Sequence, residues 1–235
     1  MGYFYDFHVH SSECSGCAAS NIEETARALK KAGYAGFVLT NHFLTGNNRI
    51  PDSYSWEEKV ARYWETYLIG KQIGEEIDLD VFFGIEHHYG NAQEILIYGI
   101  DLNFLLKNPD MCDISAESLC ERVHEYGGFV SHSHPFRERG YIPKGDFRMD
   151  LSYVDAIEVY NSANREIEDE RAQTLCKELN LAYTAGNDLH FVPHLESFPH
   201  AGLEFDFRLK TEIVMLSALR NRLGRVRHTG ERYFK

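Results

Sequence analysis

The sequence predicts a single α/β domain built on a parallel sheet or barrel. Short apolar runs of strand composition alternate with longer helical patterns along the chain, as is typical of parallel sheets with helical crossovers. The 235 residues can bury a substantial core, and we find neither an internal repeat nor a linker-like break. We therefore expect one domain over residues 1–235.

The first half of the chain supplies the first four predicted strands. The strand YFYDFHV precedes a helix that Asn21 or Ser20 would cap and Gly33 would end, in line with the usual helix boundary residues. The strand AGFVLTNH is followed by a long helix over about 55–76. The strands DVFFGIE and EILIYGI come next, and only a short connection at Gly90 separates them.

The second half continues the alternation. A short helical piece follows Asp101, and a helix over about 115–126 leads to the strands GGFVSHSH and VDAIEVYN. The helix NREIEDERAQTLCKELN precedes the strand LAYTAGND, and GLEFDF predicts a further strand. The closing helix TEIVMLSALRNRLG has an acid near its start, arginines near its end and Gly224 as a stop, which suits the helix dipole.

Composition and charge limit the possible partners. The formal net charge of −12 opposes a broad nucleic-acid or anionic-membrane surface, because such surfaces need basic patches. A small anionic substrate remains compatible with it. No apolar segment approaches the length of a membrane span, so we expect no membrane partner. Five cysteines without an export signal suggest reduced thiols and a cytoplasmic location.

Polar side chains cluster where the predicted strands end. In parallel β/α barrels the carboxyl ends of all strands open on one face, which carries the active site. Groups from six strands would therefore meet in space. They are His8 and His10, Asn41 and His42, Glu86, His132 and His134, Asn161, and Asp188 and His190.

For single residues, ordinary structural explanations compete with metal binding. His8 and His10 point to the same face of a strand, so they could chelate an ion or simply stack as half-buried histidines. His132 fits a hydrogen-bonded core histidine as well as a ligand. Taken together, however, the imidazoles and carboxylates are expensive to bury unless a metal compensates for them. Their donor set, without thiolate, suits Zn, Mn or Fe.

Cys14 and Cys17 have CxxC spacing. The sequence contains no second CxxC motif that could complete a zinc site with them. It also lacks the strand–turn–helix context of a thioredoxin-like redox motif. A structural zinc would need two further ligands. We interpret both cysteines as loop residues near the site.

The motifs YDFHVHSS, FVLTNH, FFGIEH, FVSHSHPFR, IEVYN and TAGNDLH resemble, in this order, those of the PHP family. This is the polymerase and histidinol phosphatase superfamily of metal-dependent phosphoesterases. The resemblance covers most of the chain. It implies a distorted (β/α)7 TIM-like barrel with two or three divalent metal ions at its mouth.

The resemblance also implies a ligand set. The first metal would be held by His8, His10, Glu86 and Asp188. Glu86 would bridge to a second metal on His134, and His42 and His190 would hold a third.

Three departures from the family pattern affect this set. Asn41 stands where the family usually has Asp. Leu96 replaces a family histidine that binds the second metal, so His132 or Glu94 would have to substitute. Glu13 is the one carboxylate in the loop SSECSGC, and we expect it to be the replacement ligand of the third metal.

The resemblance implies metal-assisted hydrolysis of a phosphate ester, and the acidic balance favours a small phosphomonoester. Asp188 would act as a ligand, and His132 would protonate the leaving oxygen because the pKa of imidazole lies near working pH. Arg137 and Arg139 could clamp the substrate phosphate in a bidentate way.

Three alternatives stay open. A phosphodiesterase or nuclease would act on small nucleotides or oligonucleotides. An amidohydrolase-like metal hydrolase also starts with HxH, although the motif GNDLH speaks against it. A degenerate, non-catalytic domain that keeps one metal is the third, and Leu96 supports it. The substrate, the native metal and the oligomeric state are not predicted.

Overall fold

The computed structural model describes residues 2–229. The strands are β1 (Tyr3–Val9), β2 (Gly36–Leu39), β3 (Asp80–Gly90), β4 (Gln93–Tyr98), β5 (Phe129–His132), β6 (Ala156–Asn161), β7 (Ala182–Gly186), β8 (Ala201–Phe205) and β9 (Arg225–His228). The α-helices are α1 (Ile22–Lys31), α2 (Trp56–Ile77), α3 (Leu102–Lys107), α4 (Ala116–Tyr126), α5 (Glu166–Glu178), α6 (His194–Ser197) and α7 (Glu212–Arg220). A short 3-10 helix covers Leu151–Tyr153.

The strands form one sheet in the order β7-β6-β5-β4-β3-β2-β1-β8-β9. Two parallel blocks, β1–β2–β3 and β5–β6–β7, flank β4, which is antiparallel to both of its neighbours. The reversal follows from the short connection between β3 and β4. Gly90, Asn91 and Ala92 all have positive φ, as in the tight turns that join hairpin strands.

The sheet curls into a nearly closed barrel. At the mouth, the segment after β7 pairs with the end of β1: Leu189 N donates to His8 O (3.3 Å), and His10 N donates to Leu189 O (2.9 Å). At the bottom, β8 runs antiparallel to β1, with Tyr3 opposite Phe205. The predicted distorted TIM-like barrel is confirmed, and β4, β8 and β9 are the strands that distort it.

Helix boundaries follow the predicted local signals. The Asn21 side chain accepts from Glu24 N (2.8 Å), while Glu24 Oε2 accepts from Asn21 N (3.0 Å). This reciprocal pair is a capping box, which satisfies amides left unpaired in the first helical turn. Gly33 has a φ of 90° just after α1, a conformation that glycine adopts without strain.

The lower barrel interior is filled by aromatic and aliphatic side chains. Phe7 packs against Tyr98 and Phe205, with ring centroids 6.0 and 6.2 Å apart. Within residues 2–229, no helix is both long and apolar enough to cross a membrane. The expectation of one domain over 1–235 extends beyond the described residues at both ends and stays a prediction.

Candidate metal centre

The mouth of the barrel gathers imidazole and carboxylate side chains from β1, β3 and β4 and from the segments that follow β1, β2, β5 and β7. Each predicted ligand except Glu13 is among them, and Glu94 joins the group. The side chains are His8, His10, His42, Glu86, Glu94, His134, Asp188 and His190.

An inner group surrounds His8 at the end of β1. His8 Nε2 lies 3.1 Å from Glu86 Oε1 and 3.4 Å from Asp188 Oδ1. His10 Nε2 lies 3.3 Å from the same Asp188 oxygen. Two atoms bound to one zinc ion at tetrahedral angles stand roughly 3.3–3.5 Å apart. The inner group therefore has spacings suited to a shared cation.

A second group surrounds the other side of Glu86. His134 Nε2 lies 3.2 Å from Glu86 Oε1 and 3.4 Å from Glu94 Oε2. His42 Nδ1 lies 2.8 Å from Glu86 Oε2 and 3.5 Å from Glu94 Oε1. Leu96 is buried in the apolar interior. Glu94, two residues earlier on β4, thus lies at the centre.

A third group lies on the outer side. His42 Nε2 is 3.4 Å from His190 Nε2, and the His10 ring stacks on the His190 ring with centroids 4.0 Å apart. The Cys17 thiol belongs to the lining of the cleft that His190 and His42 also line. Burial opposes ionisation of this thiol, but the two histidines lower its pKa to about 6.

Several ligand atoms of the centre are buried without a well-aligned hydrogen bond. They are His8 Nε2, His10 Nε2, His42 Nδ1 and Glu86 Oε2. Buried polar atoms are normally paired, because leaving one unpaired is costly. A cation bound between these atoms would satisfy them, so the residues present fit a metal centre.

The opposite edges of the same imidazoles are fixed by hydrogen bonds. His8 Nδ1 contacts Glu158 Oε1 (2.9 Å), and His10 Nδ1 contacts Ser15 Oγ (3.0 Å). His190 Nδ1 lies 2.9 Å from the carbonyl oxygen of Asp188. Such contacts place the proton on Nδ1 and leave Nε2 free to bind an ion.

Sequence reasoning missed Glu158 and Ser15. Glu158 is fully buried, and it also accepts from His134 N (2.9 Å) and Asn161 Nδ2 (3.0 Å). The available signal was its position, because a carboxylate in the middle of the apolar run AIEVY needs buried partners.

Backbone strain marks two of the candidate ligands. His134 has a φ of 26° and Asp188 a φ of 53°. Non-glycine residues rarely occupy this region, and such strain concentrates at functional sites. The backbone thus holds both side chains toward the centre at some energetic expense.

The centre attracts positive charge. Burial disfavours the charged form of His42, but the Glu86 carboxylate raises its pKa to about 11. Burial and the neighbouring Glu86 carboxylate raise the pKa of Glu94 to about 8. The pKa of Glu86 itself is held low, against its burial, by His8 and His42. A divalent cation would therefore compete with protons for this centre.

Two predicted site residues do not reach the centre. Glu13 accepts two hydrogen bonds from Ile22 N (3.0 and 3.2 Å) and caps the start of α1. His132 lies on the outer face of β5, where its Nε2 contacts Tyr89 Oη (2.7 Å) and its Nδ1 contacts Ser133 O (3.1 Å). Burial lowers the pKa of His132 to about 3. The structure thus engages both side chains away from the centre, and the Glu13 ligand and the His132 acid stay predictions that these contacts do not support.

The two predicted phosphate-binding arginines differ. Arg137 donates to Asp188 Oδ2 (2.6 Å) and Asn164 Oδ1 (2.8 Å), and its buried Nη2 has no hydrogen-bond partner. Arg139 is paired with Glu168 (2.9 Å) and with Ala163 O (2.7 Å). Both line a cleft of about 690 Å³ above the centre, but Arg137 has the free donor.

Comparison with known proteins gives structural likeness without sequence matches. No family model matches the chain, and no curated protein matches it. A Bacteroides vulgatus structure described as "a two-domain protein containing predicted PHP-like metal-dependent phosphoesterase" superposes with a TM-score of 0.72 and 14% identity. The match covers 97% of this chain and 65% of that one, so this chain spans about two thirds of its length.

Two further structures extend the comparison. The lesion-specific endonuclease EndoQ of Pyrococcus furiosus gives a TM-score of 0.64 at 14% identity, and the match covers 97% of this chain and 58% of that one. An amidohydrolase from Chromobacterium violaceum with bound sulfate gives a TM-score of 0.53 at 15% identity, and the match covers 80% of this chain and 87% of that one. The chain therefore adopts the fold of PHP-like metal-dependent phosphoesterases.

Proposed function

We propose that the chain is a metal-dependent phosphoesterase whose substrate is a small phosphomonoester. The observation that carries this proposal is the Glu86-centred cluster of histidines, whose buried ligand atoms lack well-aligned hydrogen bonds at the floor of an open cleft. Histidine and carboxylate donors suit Zn, Mn or Fe, and we propose two or three ions per chain.

The proposed ligand sets follow the three groups. His8, His10, Glu86 and Asp188 would hold one ion; Glu86, Glu94 and His134 a second; and His42 and His190 a third. When bound, divalent cations lower the pKa of water and neutralise charge on phosphoryl oxygens.

The chain's own groups orient the substrate and the ligands. Arg137 is fixed by Asp188 and Asn164, and its buried Nη2 has no hydrogen-bond partner. This guanidinium would bind a phosphoryl oxygen and place the ester above Glu86. Glu158 and Ser15 keep the imidazoles of His8 and His10 in the tautomer that ligates.

A nuclease is the second candidate. A neighbouring cleft of about 730 Å³ shares Arg137 and Arg139 with the first, and it is also lined by Lys144, Arg148, Arg165 and Arg171. A run of basic groups beside the centre could follow a phosphate backbone. Several are already paired with acids, as Arg165 and Arg171 are with Glu138 (2.7 and 2.9 Å). The phosphomonoester therefore stays the preferred substrate.

The test combines metal counting with a pair of substrates. Protein purified without chelators or a metal-binding tag would be analysed by plasma mass spectrometry. It would then be assayed with p-nitrophenyl phosphate and bis-p-nitrophenyl phosphate. We expect two or three equivalents of metal and preference for the monoester. Preference for the diester would favour the nuclease.

The remaining alternatives predict different results. One bound metal and no hydrolysis of either compound would favour a degenerate domain, and cleavage of amides alone an amidohydrolase. A cytoplasmic location remains part of this proposal, supported by the five free cysteines.

A further inference from the structure

We propose that a small apolar pocket beside Asp188 binds the organic group of the phosphoester, and that the preferred substrate carries a single apolar ring on its phosphate. The inference rests on the proposed function and specifies its substrate class. The pocket has a volume of about 150 Å³, and its apolar walls come from Leu189, Leu195, Phe198 and Pro199.

The pocket adjoins the cleft above the metal centre. Ala163, Asp188 and His194 line both cavities. Asp188 Oδ1 lies 3.4 Å from His8 Nε2 in the inner group, and Asp188 Oδ2 accepts from Arg137 Nη1 (2.6 Å). A phosphoryl group bound by the inner ion and Arg137 would therefore touch the same side chain that lines the pocket. The group esterified to this phosphate would then stand at the pocket entrance.

The polar side chains in the pocket wall are engaged within the fold. Ser162 Oγ lies 2.7 Å from both Asn187 Oδ1 and Pro199 O, which share its single proton. Asn187 Nδ2 donates to Tyr34 Oη (2.7 Å) and to the carboxylate of Asp6. The donors of both side chains are thus used. A sugar or polyol would give up its hydration here without gaining new donors, which is costly, so the pocket favours an apolar group.

The size and the walls of the pocket suit one ring. An apolar cavity of about 150 Å³ is large enough to hold benzene. The ring of His194 stands at 89° to that of Phe198, with centroids 5.1 Å apart, and aromatic rings prefer such edge-to-face contacts. Phe198 is 46% exposed. A substrate ring packed against Phe198 would remove this apolar surface from water.

The first experiment compares esters whose alcohols are similar in acidity, so that rate differences report on the pocket. Metal-loaded wild type would be assayed with ethyl, benzyl and 2-naphthylmethyl phosphate. We expect kcat/KM for benzyl phosphate to exceed that for ethyl phosphate by at least about 10-fold, the lower end of the effect of one methylene in an apolar pocket. The two-ring ester should fall below the benzyl ester, because it exceeds the volume of the pocket.

Variants of the wall test the place of binding. Leu195→Trp fills the pocket and should remove most of the preference for benzyl over ethyl phosphate. The control Leu106→Trp makes the same change on α3, at a residue that is 42% exposed and lines neither cavity, and should keep this preference. Should Leu195→Trp fail to fold, Phe198→Ala removes an exposed wall instead and should weaken the preference.

Binding of phosphonates, which are not hydrolysed, separates the pocket from catalysis. Calorimetric titration of metal-loaded wild type should show tighter binding of benzylphosphonate than of ethylphosphonate. Leu195→Trp should lose this difference in affinity, and Leu106→Trp should retain it.

The outcomes distinguish this inference from the proposed function. Equal kcat/KM for ethyl and benzyl phosphate, a benzyl preference that persists in the wall variants, or a further rise with the two-ring ester would overturn the pocket and leave the phosphoesterase standing. No hydrolysis of any ester would overturn the proposed function, and equal binding of the two phosphonates would then overturn the pocket as well. A dimer in sedimentation that dissociates in Phe198→Ala would assign the exposed ring to a second copy of the chain instead.

Discussion

The two ends of the barrel differ in how completely their buried polar atoms are hydrogen-bonded. At the bottom, Tyr98 Oη donates to Phe7 O (2.9 Å), and Tyr5 Oη donates to Asp80 (2.7 Å) while it accepts from Leu209 N (2.9 Å). At the mouth, His8 and Glu86 are fully buried and each has a ligand atom without a well-aligned hydrogen bond.

The difference separates stability from function. Satisfied polar groups within an apolar interior stabilise the fold, whereas unsatisfied and strained groups persist at sites that bind ligands. Changes at the mouth should therefore act on metal and activity, and changes at the bottom on the free energy of unfolding.

The largest effect on the mouth is expected from Glu86→Gln. The substitution removes the carboxylate charge that lies between His8, His42 and His134. Metal content should fall and hydrolysis should drop by more than about 100-fold, since loss of a ligand exceeds loss of its outer-shell support. Metal analysis and steady-state assays check this. The control Glu13→Gln makes the same chemical change outside the centre and should keep wild-type metal content and wild-type hydrolysis. Full metal content in Glu86→Gln would refute the proposed bridging role of Glu86.

Phe205→Ala tests the bottom. Phe205 is fully buried beside Phe7 and Tyr5. We expect the free energy of unfolding to fall by about 3–5 kcal/mol because a buried aromatic is replaced by a cavity. Urea denaturation measures this change. The kcat/KM per folded molecule should stay at the wild-type level, and a large loss of kcat/KM would show that the two ends are coupled.

Glu158→Gln should have an intermediate effect at the mouth. The variant keeps an acceptor for His8 Nδ1 (2.9 Å in the wild type) and removes the charge that supports the imidazole. Metal affinity should weaken by about 10–100-fold, as measured by competition with a chelating dye. Unchanged affinity would mean that Glu158 serves packing alone.

The smallest effect is a pH dependence of stability at the bottom. Burial and the nearby Asp101 carboxylate raise the pKa of Glu212 to about 7, from 4.5 when unperturbed. Between these values the folded chain binds more protons than the unfolded chain, so Glu212 lowers stability as pH rises through this window. Glu212→Gln should therefore be more stable than the wild type at pH 8, and the difference should vanish near pH 4. Urea unfolding of both proteins at pH 4 and pH 8 measures this difference in the free energy of unfolding. An equal difference at both pH values would exclude the contribution of Glu212 ionisation.

Local and patterned features were predictable from the sequence. The strand and helix pattern led to an α/β barrel, and the Asn21 cap and the Gly33 stop appear as expected. The assembly of His8, Glu86 and Asp188 at one end also followed, since parallel strands bring their carboxyl ends together.

Side-chain direction in loops was decided by tertiary structure. Glu13 and Cys17 lie on the same loop, yet Glu13 is drawn to the unpaired amide at the start of α1 while Cys17 faces the cleft. His132 and His134 lie two residues apart, but His134 turns toward Glu86 through its positive φ. Strand alternation alone would have kept them on one face.

The sequence by itself thus determined which residue types meet at the mouth of the barrel, because periodicity and strand order are encoded locally. Only the tertiary structure decided which of them point inward. That Glu94 lies at the centre while Leu96 lies in the apolar interior depends on the register of β4 against β3, where Glu86 stands opposite Leu96. Register and loop direction arise from packing between distant segments, which no local pattern specifies.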